Sequence, residues 1–245
     1  MERKIRVGAV SYLNTKPLVF GFENGSMLDQ IELVSDYPAN IAAKLLNNEI
    51  DLGLIPVAVI PQLKEHHIVS DYCIGASQAV ASVCLFSEVP LNEIETILVD
   101  YQSRTSAALL KVLLQHHWKI APKLIDTNSG YQENIKGTTA GLVIGDRALR
   151  QRLLSTYIYD LASSWQEMTG LPFVFAAWVS NKKLPVDFIQ SFNTATSEGL
   201  SHIDEIVATI DFPEYDMKKY YTENIDYKLD DKKLEAVKLF LDYIK

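Results

Sequence analysis

Two long apolar segments constrain this chain more than any other feature: Ile74-Gly75-Ala76-Ser77-Gln78-Ala79-Val80-Ala81-Ser82-Val83-Cys84-Leu85-Phe86 and Leu171-Pro172-Phe173-Val174-Phe175-Ala176-Ala177-Trp178-Val179. Both are β-prone, and the first is longer than the usual strand of about 5–6 residues. Neither approaches the roughly 20 apolar residues of a membrane span. They read as strands that leave one lobe, enter a second and return. The expected lobes are residues 1–86 with 178–245, and residues 87–177, with a cleft between them. The length of 245 residues agrees, because single cores rarely grow much beyond roughly 250 residues.

Between these segments, strand-like and helix-like runs alternate, the pattern of an α/β protein with mixed, mostly parallel sheets. Ile5 to Val10 is a strand feeding a helix start, where Asn14 or Thr15 can cap and Pro17 suits the first turn. Ile31 to Val34 precedes a second helix opening at Pro38, and Asp51 to Pro56 is a short buried strand ended by a proline that cannot donate to a sheet. A helix carrying Val59, Ile60 and Leu63 is expected next. The second lobe begins after Pro90 with strand Thr96 to Val99 and a helix from Thr105. Strand Gly141 to Ile144 then leads into a helix through Leu149, Leu153 and Leu154. A final helical stripe, Leu234, Val237, Leu241 and Ile244, starts at Asp230 or Asp231 and is expected on the first lobe.

Charge removes one class of partner. With 23 Lys+Arg against 31 Asp+Glu the net charge is −8, so the chain lacks the basic field that nucleic-acid binders use to neutralise phosphates. Hydrophobic residues at 48% and charged residues at 22% are those of an ordinary globular protein. The amino terminus, Met1-Glu2-Arg3-Lys4 running straight into a strand, has no signal-peptide core. The expectation is a cytoplasmic protein without a membrane partner or an obligate protein partner. Cys73 and Cys84 are too few for a disulfide framework or a cysteine zinc cluster and read as buried thiols.

In open parallel sheets ligands bind beyond the carboxyl ends of strands, which reduces the candidates to Ser11 to Thr15, Leu54 to Pro56, Ser103 to Ser106, and Gly145-Asp146. Ser103-Arg104-Thr105-Ser106 places three hydroxyls at a helix start, where backbone donors and the helix dipole favour an anion such as a carboxylate. Plain N-capping by Ser103 or Thr105 is the alternative. Asn14 and Ser82 are uncharged and read equally as caps or satisfied polar groups. His66-His67 and His116-His117 are adjacent pairs that share no face, so neither chelates a metal. Trp165, Phe173 and Trp178 either stack on a ring-shaped ligand or fill the core. No phosphate loop, His-Glu-x-x-His or Gly-x-Ser-x-Gly is present, so the expected site holds no cofactor and no metal. On residues alone the chain is a two-lobed α/β protein that binds a small anion.

A further set of segments resembles a known family. These are Gly8-Ala9-Val10-Ser11-Tyr12-Leu13-Asn14-Thr15-Lys16-Pro17-Leu18, Asp51-Leu52-Gly53-Leu54-Ile55-Pro56-Val57, Asp100 with Ser103-Arg104-Thr105-Ser106, Leu142-Val143-Ile144-Gly145-Asp146, and Trp165 with Thr169-Gly170-Leu171-Pro172-Phe173. In order and spacing they resemble the chorismate dehydratases of the futalosine-type menaquinone pathway over nearly the whole chain. The resemblance implies a periplasmic-binding-protein-like (type 2) fold. A sister family, the 1,4-dihydroxy-6-naphthoate synthases, carries a histidine after the strand equivalent to the one ending at Ile144, where this chain has Gly145-Asp146. Where the family tends to show Gly and an acidic residue between Asp160 and Trp165, this chain reads Leu161-Ala162-Ser163-Ser164, so only a packing role is expected there.

The resemblance further implies a cofactor-free lyase reaction in which chorismate loses water to give 3-[(1-carboxyvinyl)oxy]benzoate, aromatising its ring. Asn14 and Ser82 match the family's functional positions and would orient the enolpyruvyl group and the hydroxyl. Neither is a base at neutral pH, so a substrate carboxylate would serve, with Thr105 and Ser106 on the other carboxylate. Ser11, Tyr12, Ile55, Pro56, Ser103, Arg104, Gly145 and Asp146 complete the expected substrate-binding set. The competing class is a non-catalytic small-carboxylate-binding protein on the same fold.

Overall fold

The computed structural model describes residues 3–25 and 27–245. Met1 and Glu2, part of the stretch read above for a signal segment, lie outside them. Among the described residues, eleven strands form two mixed sheets. The strands are β1 Ile5–Val10, β2 Ile31–Asp36, β3 Leu52–Pro56, β4 His67–Ala76, β5 Val83–Ser87, β6 Thr96–Val99, β7 Lys123–Asp126, β8 Thr139–Ile144, β9 Tyr157–Asp160, β10 Phe173–Ser180 and β11 Asp226–Lys228. The helices are α1 Lys16–Asn24, α2 Pro38–Leu46, α3 Arg104–Leu113, α4 Asp146–Gln151, α5 Leu161–Thr169, α6 Val186–Ser201, α7 Ile203–Ala208, α8 Met217–Lys219 and α9 Asp231–Tyr243.

The six-stranded sheet has the order β11-β4-β10-β3-β1-β2, and the five-stranded sheet β7-β6-β8-β5-β9. In the first, β1, β2, β3 and β4 share one direction while β10 and β11 oppose them. In the second, only β5 runs against the rest. All eight residues of β10 are buried, as befits a strand covered on both faces, whose sequence reads as a continuous apolar run rather than an alternating one.

The two apolar segments carry the chain between the sheets, but not as single strands. The first divides at Ser77 to Ser82: β4 stays in the six-stranded sheet and β5 joins the five-stranded one. The reason is local. The backbone N–H groups of Val80 and Ala81 bond the Asp160 carboxylate (3.2 and 2.8 Å) instead of a neighbouring strand, and Ala81 takes a left-handed φ of 64°. On the return, β10 lies wholly in the six-stranded sheet, and α5 makes the passage. Asp160 caps that helix by accepting from Ala162 and Ser163 N–H.

Other expectations shift in length. The expected helix around Val59 is a 3-10 turn, Val57–Gln62. The helix after β8 stops at Gln151, leaving Leu153 and Leu154 67% and 77% exposed. The aromatic alternative resolves to core. Trp178 packs edge-on to Phe22 and Phe192, and Trp165 against Phe173 and Phe240 of α9. His67 and His117 bond Glu65 and Glu167 near the surface, and Cys73 and Cys84 are buried free thiols. Among the described residues no helix is long and apolar enough to cross a membrane.

Candidate active site

The carboxyl ends of β1, β3 and β8 and the amino end of α3 face one another across the junction of the two sheets. Between them lies a narrow cavity lined by Val10, Tyr12, Asn14, Thr15, Pro38, Pro56, Ile74, Val80, Ser82, Val83, Ser103, Ser106, Ile144, Gly145, Phe175 and Ala176. Together with the solvent space at its mouth its volume is about 500 Å³. The lining is apolar except for a cluster of neutral amide and hydroxyl groups, and among the described residues Tyr12 is its one titratable side chain.

Asn14 sits in the 3-10 turn Leu13–Thr15 that follows β1. This turn is held from the far end of the chain: Tyr221 Oη donates to Leu13 O (2.9 Å) and Tyr227 Oη to Asn14 O (2.8 Å). A third tyrosine reaches the other polar side chain, Tyr220 Oη donating to Ser82 Oγ at 2.7 Å. Ser82 is further fixed by its carbonyl, which accepts from Gly145 N–H (2.8 Å). Burial pushes the Tyr220, Tyr221 and Tyr227 hydroxyls well above their ordinary pKa, so all three remain protonated donors.

The opposite side is built locally. Ser103 caps α3: its Oγ accepts from Ser106 N–H (3.1 Å) and donates to Ser106 Oγ (2.8 Å). Both serines line the cavity, so capping and cavity-facing roles coexist. Thr105 is buried and turned away, its Oγ1 accepting from Ala58 N–H (3.2 Å). Arg104 is exposed and bonds Gln62 (3.3 Å). Thr105 and Arg104 therefore support the helix start without lining the cavity.

The sides are joined at the mouth. Leu13 N–H donates to Asp146 Oδ1 (3.2 Å), and Tyr12 Oη to Gln102 Oε1. Burial raises the Asp146 carboxyl while the Leu13 N–H, Arg150 and Arg147 pull it back. Gln102 Oε1 also accepts from Arg147 Nη2 (2.7 Å), which bonds Asp100 Oδ2 (2.8 Å), itself an acceptor for Tyr131 Oη (2.6 Å). Burial raises the Asp100 carboxyl against the pull of Arg147 and Tyr131. Gly145 adopts φ 62°, ψ −148°, a region essentially reserved for glycine, and a Cβ there would meet the Tyr12 ring at 3.2 Å.

Of the remaining expected residues, Pro56 lines the cavity, Ile55 is fully buried behind it, and Ser11 is exposed on a neighbouring surface recess that also includes Lys16. Residue-level reading missed Gln102 and Arg147, which sit at the mouth, and Tyr220, Tyr221 and Tyr227, which brace Asn14 and Ser82. The clustering of tyrosines at 220, 221 and 227 was the available signal.

Two sheets closing on one small cleft define a periplasmic-binding-protein-like fold, and solved structures agree. A protein from Archaeoglobus fulgidus aligns with a TM-score of 0.76 over 98% of this chain and 96% of its own, at 15% identity. A Candida albicans gene product described as having the generic periplasmic binding protein fold aligns at 0.64 over 99% and 90%, at 14% identity. Sequence narrows the class further: a family model described as menaquinone biosynthesis matches residues 5–245, and the chain belongs to that family. Two similar curated proteins are chorismate dehydratases. The one from Campylobacter jejuni is 27% identical over 97% of this chain and 96% of its own length. The one from Thermus thermophilus is 26% identical over 82% and 79%.

Proposed function

We propose that this cleft dehydrates chorismate to 3-[(1-carboxyvinyl)oxy]benzoate on the futalosine route to menaquinone, in the cytoplasm, with residues 1–86 and 178–245 closing on 87–177 around the substrate. The observation that carries the reading is the character of the lining. Neutral hydroxyl and amide groups converge on an apolar slot, and among the described residues no carboxylate, imidazole or amine lines it. Such a site orients and desolvates but supplies no strong base of its own. Chorismate brings one: its enolpyruvyl carboxylate takes the proton from the ring carbon bearing the ether, the C–O bond to the neighbouring hydroxyl breaks as the new ring double bond forms, and the same carboxylate returns the proton to the departing hydroxyl, which leaves as water. The gain is an aromatic ring, and no electrons are exchanged with a cofactor.

In this scheme Asn14 orients the enolpyruvyl group and Ser82 donates to the departing hydroxyl. Ser103 and Ser106, with the α3 amino terminus, hold the ring carboxylate. The activity of the two curated relatives supports the choice of substrate. The sister reaction, which by resemblance needs a histidine after β8, is disfavoured by Gly145: its left-handed φ strains any side chain, and a Cβ would crowd the Tyr12 ring at 3.2 Å. The test is to mix purified protein with chorismate and follow the aromatic product by absorbance and mass. Loss of one water to the named benzoate is expected; unchanged chorismate with folded protein would overturn the reading.

A further inference from the structure

The three tyrosines differ in what they hold. Tyr221 and Tyr227 bond backbone carbonyls, which any hydroxyl donor satisfies without altering a side chain. Tyr220 alone bonds a polar side chain lining the cavity, Ser82 Oγ at 2.7 Å. Both residues are buried, 0% and 1% exposed. With both groups out of water, the serine oxygen is the acceptor that the 2.7 Å bond gives the phenol.

The consequence concerns the serine's own proton. A hydroxyl accepts and donates at once. With one lone pair taken by Tyr220, the Ser82 O–H has no protein acceptor among the described hydrogen bonds and faces the cavity. Without the tyrosine, the serine would be free to rotate and donate to the nearby Val80 carbonyl, which already holds its backbone N–H at 2.8 Å. Burial raises the Tyr220 hydroxyl, and hydrogen bonding to the Ser82 and Asn14 side chains pulls it back. Tyr220 thus hydrogen-bonds a cavity-lining serine whose own O–H is left to face the cavity.

We infer that Tyr220 is a positioning residue that holds Ser82 as a hydrogen-bond donor toward the leaving hydroxyl of the substrate. The inference rests on the dehydratase reading. It requires that Tyr220 act through Ser82, so the two hydroxyls must be coupled, whereas a purely structural tyrosine would contribute independently. Removing both partners leaves two apolar groups facing each other, which is close to neutral for folding, while removing one leaves the other unsatisfied.

The experiment measures kcat and KM on chorismate for wild type, Tyr220→Phe, Ser82→Ala and the double variant, with thermal melting of each. Wild-type turnover is checked first; its absence overturns the dehydratase reading, and the positioning role with it. Given turnover, Tyr220→Phe is expected to lower kcat at least tenfold with KM within threefold, and the double variant to match Ser82→Ala within twofold. Tyr215→Phe is the control: it removes a hydroxyl bonded to Asn224 beside Tyr220 (3.0 Å) without touching Ser82, and should leave kcat within twofold even where it lowers the melting temperature. Wild-type kcat in Tyr220→Phe, or a double variant slower than Ser82→Ala by the full Tyr220→Phe factor, would overturn the inference. Should Tyr220→Phe alone fail to fold, the comparison of Ser82→Ala with the double variant still decides it.

Discussion

The two sides of the cleft are held by different means. Around Asn14 and Ser82, the bracing hydroxyls come from residues 138 to 213 positions away in sequence. Around Ser103 and Ser106, the hydrogen bonds span three residues, and the helix that follows would form them wherever it was placed. The first side exists only when the whole six-stranded half is assembled; the second is a property of its own few residues. A group that must meet a reacting atom needs a position set by the entire fold, whereas a helix start that holds a carboxylate needs only to be a helix start.

If that contrast is right, substitutions on the two sides should fail differently. The largest effect is expected from Asn14→Ala and Ser82→Ala, each lowering kcat on chorismate by 100-fold or more; Asn14→Ala should melt close to wild type, whereas Ser82→Ala also lowers the melting temperature by leaving the buried Tyr220 hydroxyl without its acceptor. Steady-state kinetics beside a melting curve separates the two, and near-wild-type kcat in either variant would remove that side chain from the reaction.

Next comes a substitution far from the cleft. Asp51, at the amino end of β3, accepts from Arg6 Nε (3.2 Å), Lys182 Nζ (2.8 Å) and Arg6 N–H (3.0 Å). Burial works against its charge, but these partners outweigh it and hold the carboxyl well below the ordinary range. Because the folded pKa is lowered, the stabilisation is present above the unfolded value and is lost as pH falls through the folded one. Asp51→Asn should therefore cost about 2 kcal/mol at neutral pH, a typical figure for hydrogen bonds to a charged group, with the deficit shrinking on strong acidification. Denaturant melts across pH would show it, and kcat should not change. A deficit that grew in acid would break the assignment.

A smaller effect is expected at Ser106. Ser106→Ala removes a hydroxyl from the cavity but leaves the backbone N–H that Ser103 caps. It should raise KM several-fold with kcat nearly intact and cost under about 1 kcal/mol, since the cap itself survives. A fall in kcat as large as that of Ser82→Ala would erase the distinction between the two sides.

The same contrast explains what was legible in the sequence. The α/β alternation, the elements read for it and the α3 cap follow from periodicity and local chemistry, which short windows contain, whereas β7, β9, β11 and the long α6 were not read and the periplasmic-binding-protein-like fold came from family resemblance. Asn14 and Ser82 stood out only through family resemblance, because nothing in their neighbours distinguishes them from caps. Tyr220, Tyr221 and Tyr227 were invisible as braces since their partners lie in other parts of the chain. The break at Ser77 to Ser82 escaped notice for a related reason: the apolar run is continuous in sequence, and what interrupts it is the Asp160 carboxylate, about eighty residues on. Arg104, expected to help hold an anion, turns outward to Gln62, leaving the cavity without a cation among its described lining residues.

In the proposed mechanism the neutral lining leaves the role of base to the substrate, and this is the claim most open to direct test. Turnover of chorismate should be compared with that of an analogue whose enolpyruvyl carboxylate is masked as a methyl ester, with binding of each measured by titration. The account predicts that chorismate is dehydrated while the ester binds but reacts at least 100-fold more slowly. Dehydration of the bound ester at a rate close to that of chorismate would contradict it and require a base that the protein itself supplies.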